Sequence, residues 1–284
     1  MSHKDKYFQN KTMINFSGKL VDISKPLVMG ILNCTPDSFF DGGKNNTEDL
    51  AIQHAGRMIN EGADIIDIGG MSTKPNSKLI DAKEELSRVL PIIKKIKKAY
   101  PDQILSIDTY RSEVADAAIN EGVSMVNDIS AGMLDNKLWA VVKKYNAPYV
   151  LMHMKGTPQN MQDNPTYEDV VEEVMRFLSE KVNALNQFGI NDVVIDLGFG
   201  FGKKRVHNYT LLKNLDIFRI LNKPILVGIS RKSMIYRQLD TTVEEALNGT
   251  TVLNTFALTK GANILRVHDV KEAKETIKLM SNLI

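Results

Sequence analysis

The chain has 284 residues, 43% of them hydrophobic and 25% charged, an ordinary globular composition that allows one large domain or two small ones. Lys plus Arg number 36 against 34 Asp plus Glu, interspersed to a formal charge of +2, which argues against a polyanion-binding protein. The single Cys34 excludes an intramolecular disulfide framework, no run approaches the roughly 18 apolar residues of a membrane span, and the opening MSHKDKYFQN has no signal-peptide core, so a soluble protein of the reducing cytoplasm is expected.

In chain order, residues 13–23 predict a β-hairpin, with Ser17 and Gly18 as turn residues between apolar runs. Short Val- and Ile-rich runs then alternate with amphipathic stretches. A strand at 27–32 precedes a helical pattern at 47–60, and further strands are expected at 64–68, 104–108, 125–129, 149–153, 193–197, 225–229 and 264–268, eight in all. Each is followed by a helical pattern. Asp81 with Glu84, Thr166 with Asp169, and Thr242 with Glu245 have the spacing of helix N-terminal caps. Lys94, Lys95, Lys97 and Lys98 fall within the apolar period of Leu90, Ile93 and Ile96 and lack interleaved aromatics, so they read as a solvated helix face.

Near-continuous apolar strands interleaved with helices require a parallel sheet covered on both faces, and eight such units fit a closed ring better than an open sheet. The expected fold is therefore α/β, a (β/α)8 TIM barrel whose bottom the N-terminal hairpin caps. No Pro/Gly/Ser linker divides the chain, so a single domain over 1–284, with its core at about 26–284, is expected.

In this fold reactive groups sit at the carboxyl ends of strands. Just past each apolar run stand Asn33, Ser72 with Thr73, Asp108, Asn127 with Asp128, His153, Asp196, Ser230 with Lys232, and Arg266 with His268. The set divides into acceptors (Asp108, Asn127, Asp196) and donors (Lys232, Arg266, His268), which implies a ligand with two faces. An aminopyrimidinone ring suits the first half, with Lys232 donating to its carbonyl or ring nitrogens. A diphosphate suits the second, Arg266 offering a planar fork, His268 an imidazole N–H, and Asn33 a hard oxygen for a Mg2+ ion carried on the diphosphate. GFGFG at 198–202 permits close backbone approach but has neither the dinucleotide fingerprint nor a phosphate-loop Lys-Ser/Thr pair. His153, Met152 and Met154 read as packing residues, and Asp67 as support for a loop at the barrel mouth.

The segments LVMGILNCTPDSFFDGG, DIGGMSTKP, SIDTYR, VNDISAG, MHMKGTPQNMQ, DLGFGFGKKRVHN, VGISRKS and GTTVLNTFALTKGANILRVHDV resemble the dihydropteroate synthases, in order and spacing, from about Val28 to the final helix. The resemblance implies that Asp108, Asn127, Asp196 and Lys232 hold a pterin. It places Asn33, Thr73, Arg266 and His268 around a diphosphate and its Mg2+, with Asn33 as metal ligand. Phe39, Pro75, Phe201, Ser230 and the stem of Lys232 would form a pocket for para-aminobenzoate. Lys232, Arg266, His268 and Asp108 are the catalytic set it implies. It further implies a homodimer built through barrel helices, in a family that sulfonamides target, with no nucleic acid or membrane as partner. Three positions depart from the family pattern: Met71 and Lys74 in the second loop, and Leu197 after the sixth strand. Lys74 keeps a charge without a bidentate fork, and Met71 removes a carboxylate.

The activity so implied is a transferase reaction of folate synthesis, in which 6-hydroxymethyl-7,8-dihydropterin diphosphate and para-aminobenzoate give 7,8-dihydropteroate and diphosphate. Rival readings are a pterin-binding methyltransferase, a Schiff-base aldolase using Lys232, and a pterin-binding barrel without catalysis. The intact SRKS and RVH segments favour the synthase, because a methyltransferase has no diphosphate to release.

Overall fold

The computed structural model describes residues 13–16, 18–35, 44–72 and 80–283, with the side chains of 44–47 excepted. Thr73, Pro75, Lys74 and Phe39, expected in or near the site, lie outside the described residues.

A two-stranded antiparallel hairpin, β1 (Met13–Phe16) and β2 (Lys19–Asp22), comes first. Eight parallel strands follow: β3 (Leu27–Asn33), β4 (Ile65–Gly69), β5 (Ile104–Asp108), β6 (Met125–Asp128), β7 (Tyr149–Met152), β8 (Val193–Asp196), β9 (Ile225–Val227) and β10 (Ile264–Val267). They close in sequence order, β10 pairing with β3, so the expected (β/α)8 barrel with its hairpin is the fold. Between and after them run α1 (Lys44–Asn60), α2 (Ala82–Ala99), α3 (Ser112–Asn120), α4 (Leu138–Tyr145), α5 (Val170–Phe188), α6 (Arg205–Lys213), α7 (Ser233–Tyr236), α8 (Leu247–Thr259) and α9 (Val270–Met280). The last five of the eight barrel strands end one or two residues before the expected bounds, because Ile129, His153, Leu197, Ile229 and His268 belong to the turns that leave the barrel.

Strand alternation decides what faces the barrel axis. Met29, Ile65, Ile104, Met125, Val150, Val194, Leu226 and Ile264, one from each strand, pack together with Ile14, Phe16 and Ile23 of the hairpin region. The hairpin thus closes the bottom. Phe16, 2% exposed, is a plug in this layer. Phe16→Ala should cost about 3–5 kcal/mol in a urea melt, yet leave KM values unchanged in the folded fraction, since the reactive end is opposite. The outward faces of the strands meet the helices in the main core, which includes Ile66, Ile107, Val126, Leu151 and Ile195.

Local capping agrees with the sequence at one of three sites. Asp81 Oδ1 accepts from Glu84 N at 2.7 Å to open α2. Thr242 caps no helix: Glu245 accepts from its N at 3.4 Å, but Val243 opens the 3-10 turn (Glu244–Ala246) and Ala246 opens α8, both without a side-chain cap. Thr166 is not the cap of α5. Asp169 is, its Oδ1 accepting from Val171 N and Glu172 N at 2.8 and 3.0 Å, while the Thr166 carbonyl accepts from Lys155 Nζ at 2.5 Å. The lysines of α2 behave as a helix surface: Lys94 pairs with Glu121 at 3.1 Å, Lys95 with Glu48 at 2.8 Å, and Lys97 bonds the Pro101 carbonyl at 2.6 Å.

Candidate active site

Two residues beyond the apolar layer, the same inward face carries Ile31, Asp67, Ser106, Asn127, Met152, Asp196, Gly228 and Arg266, as period-two alternation requires. Asn33, Gly69 and Asp108 stand one pair further along, in register with Asn127. The expected residues Asn33, Asp108, Asn127, Asp196 and Arg266 therefore share the carboxyl end of the barrel. Asp128, grouped with Asn127 in the sequence reading, points the other way. Its carboxylate caps its own turn, accepting from Ser130 N and Gly132 N at 2.7 Å each and from Tyr149 OH at 2.6 Å.

Arg266 organises one half of the mouth. Its Nε donates to Asp67 Oδ2 and its Nη2 to Asp108 Oδ2, both at 2.7 Å, and Asn127 Nδ2 donates to the same Asp67 oxygen at 2.9 Å. Asp67 is fully buried and holds two of the expected ligand-binding residues, so it is no loop support. Strand-end polarity does not reveal this role; the position of Asp67 two residues past Ile65 on the inward face is the signal that does. Burial pushes the Asp108 carboxyl up to about 7, with Asp67, Glu85 and Asp128 adding to the rise and Arg266 opposing it. Burial also works against the Arg266 charge, but Asp67 and Asp108 hold its pKa above the ordinary guanidinium value.

Lys232 sits in the turn after β9. Its Nζ donates to the Phe199 carbonyl at 2.5 Å and lies 4.8 Å from the Phe201 ring centroid, so the cation and the expected aromatic wall are in contact. Burial pushes the Lys232 pKa down to about 8; Asp196 opposes the shift, Arg266 adds to it and Asp108 opposes it. Asp196 Oδ1 accepts from Gly198 N at 2.8 Å, and burial raises its pKa against the pull of Lys232. Phe201 packs with Ile129, Met152, Met154 and Met161, an apolar patch beside the polar set.

Ser230 Oγ lies 3.1 Å from His268 Nδ1 and accepts from His268 N at 3.2 Å; in the tautomer with the imidazole proton on Nε2, its hydroxyl donates to Nδ1. Loss of solvation, with the Arg266 charge, pushes the His268 pKa down to about 4. His268 is therefore a neutral N–H donor and not a cation near neutral pH. Arg231, at φ 53°, bridges the turn to Asp269 through Nε and Nη2 at 2.9 and 2.7 Å. That strap, absent from the sequence reading, ties the Lys232 turn to the one that carries His268.

Met71, where the resemblance expects a carboxylate, is buried, with its Sδ 3.8 Å from both Tyr110 OH and Arg111 Nη1. Arg111 finds its carboxylate elsewhere: Glu85 of α2 pairs with it, and its other arm bonds the Ile80 carbonyl at 2.5 Å.

The pterin binding enzyme family matches residues 29–268. The dihydropteroate synthase of Haemophilus influenzae is 43% identical over 265 residues, covering 93% of this chain and 96% of that protein, and that of Escherichia coli is 43% identical with 93% of each covered. The chain belongs to the dihydropteroate synthase family. Solved structures of the family agree with the fold. The Yersinia pestis dihydropteroate synthase with a sulfonamide drug superposes with a TM-score of 0.90 at 39% identity, over 95% of this chain and 98% of that one. The Xanthomonas albilineans enzyme in complex with 7,8-dihydropteroate does so with a TM-score of 0.86 at 36% identity, again over 95% and 98%. Matches to synthases along the whole barrel leave no place for the methyltransferase and aldolase readings.

Proposed function

We infer that the chain condenses 6-hydroxymethyl-7,8-dihydropterin diphosphate with para-aminobenzoate, giving 7,8-dihydropteroate and diphosphate. The observation that carries this reading at the level of residues is the convergence of Asp108, Asn127, Asp196 and Lys232 with Arg266 and His268 at one barrel end. The three acceptors suit the amino and ring N–H groups of a pterin, and Lys232 suits its carbonyl and ring nitrogen. Arg266 and the Nε2–H of His268 suit the diphosphate. Phe201, Ser230 and the Lys232 stem, with Pro75 and Phe39 beyond the described residues, are the proposed aminobenzoate wall.

The reaction needs no strong base. The C–O bond to diphosphate breaks with its electron pair leaving on oxygen, and the ring-stabilised methylene cation is captured by the lone pair of the neutral aromatic amine, which then loses a proton. Catalysis then rests on positioning and on stabilising negative charge as it develops on the leaving group, the part assigned to Arg266 and His268. Among the described residues no cluster of three or more His, Cys, Asp or Glu side chains could cage a metal. The inward amide of Asn33, whose Oδ1 comes within 3.7 Å of where a Gly69 side chain would begin, fits a single-donor partner for a Mg2+ that enters on the diphosphate. When bound, the ion would neutralise leaving-group charge.

One domain spanning the chain, a cytoplasmic location and a homodimer complete the reading. No helix among the described residues is long and apolar enough to cross a membrane. Exposed Val252 and Phe256 on α8, and exposed Ile217 and Ile220 on the segment that Lys260 ties to α8 through Asp216 at 3.2 Å, support association through barrel helices.

Incubating the protein with dihydropterin diphosphate, para-aminobenzoate and Mg2+, and following diphosphate and dihydropteroate, tests the function; no dihydropteroate at any substrate concentration would sink it. Lys232 sets a pH expectation. A lysine whose pKa lies near 8 is protonated below that value and loses its charge above it. The Lys232 titration should therefore make kcat/KM for the pterin substrate fall roughly tenfold per pH unit above about 8. Lys232→Arg, whose charge persists, should lack this alkaline limb, and a limb retained in that variant would assign the titration to another group.

A further inference from the structure

Lys203 lies outside the expected site set, yet it is only 3% exposed. Its Nζ is 2.8 Å from His153 Nδ1, 2.9 Å from the Gly198 carbonyl, 3.1 Å from the Phe201 carbonyl and 3.3 Å from the His153 carbonyl. All four are acceptors when the His153 imidazole carries its proton on Nε2. Burial together with the Lys203 charge keeps that ring neutral, pushing its pKa down to about 2. An ammonium supplies three protons to such a cage, whereas a neutral amine would turn its lone pair toward one of these oxygens or the ring nitrogen. Burial drives the Lys203 pKa well below its ordinary value; Asp196 opposes the shift and the Lys232 charge adds to it. The surrounding acceptors oppose that by solvating the ammonium in place of water.

The segment held this way is the GFGFG turn after β8. Phe199 in it accepts from Lys232, Phe201 lies beside the same cation, and Gly198 donates to Asp196. The turn lies so tightly on the chain leaving β7 that a Cβ at Gly198 would stand 1.9 Å from the His153 carbonyl oxygen, and one at Gly202 2.3 Å from that of Lys155. Both glycines have positive φ, 69° and 62°. Asn208 of α6 holds the turn from the other side, its Oδ1 accepting from Gly200 N at 2.8 Å.

We propose that Lys203 is a positioning residue: with His153 it staples the GFGFG turn to the end of β7 and so sets Lys232, Asp196 and Phe201 at the distances both substrates require. This rests on the synthase reading above. Lys203 touches neither substrate; it acts through the turn.

The test is steady-state kinetics of Lys203→Met, Lys203→Arg and His153→Leu beside wild-type protein, with melting temperatures measured in parallel. Failure of the wild type to turn over would count against the synthase reading itself. With wild-type turnover present, Lys203→Met should raise KM for both substrates about tenfold or more while changing kcat much less. Lys203→Arg, which keeps a charged donor, should lie between it and wild type. Wild-type KM values in Lys203→Met, or a loss confined to melting temperature and active fraction, would overturn the proposal. Should Lys203→Met fail to fold, His153→Leu decides: it removes one acceptor and should raise both KM values, and unchanged values there would be equally fatal.

Discussion

Replacing Arg266 by Ala should lower kcat by about two to three orders of magnitude, the scale of losing one preorganised group that stabilises developing negative charge. It should also destabilise the fold by about 3–5 kcal/mol, because Asp67 and Asp108 would be left buried without their shared cation. The two effects separate by pH. In wild type the Asp108 carboxyl already titrates near 7, and Arg266 is the group that holds it down. Without the guanidinium the Asp108 carboxyl should take up its proton at higher pH than in wild type. A carboxyl with a raised folded-state pKa binds its proton more readily folded than unfolded, so the variant should regain stability as pH falls through that pKa. Urea melts between neutral and mildly acidic pH read this directly; activity should not return with stability. Wild-type turnover at saturating substrate would show that Arg266 serves the barrel alone.

Asp67→Ala should be nearly as damaging to kcat/KM although Asp67 is buried beneath the proposed ligand-binding groups. Its Oδ2 accepts from Arg266 Nε and from Asn127 Nδ2, so the variant releases one residue from each half of the proposed site. A fall of about a hundredfold in kcat/KM for the pterin substrate is expected, the order that loss of orientation produces. Combined with Arg266→Ala, the losses should be strongly sub-additive, because both changes break one network. Additive losses would mean that the two residues act independently.

Composition and pattern carried much of this protein. The eight βα units, the bottom hairpin and the inward polar set from Asn33 to Arg266 were all legible, because alternation along a strand is a local property and a parallel barrel converts it into one shared face. The same rule places Asp128 outside the site, one residue after Asn127, where strand-end polarity alone had grouped them.

What only the tertiary structure decided is how the charges are spent. Asp67 pairs with Arg266 across 199 positions of sequence, Lys203 with His153 across 50, and Arg231 with Asp269 across 38. Such pairs form because the barrel brings strand ends from distant parts of the chain to one rim, and burial there obliges each charge to find an opposite charge or a ring of acceptors. Polar residues at strand ends reveal in sequence that a site exists; which of them face a ligand and which hold the others in place depends on distances that only ring closure creates.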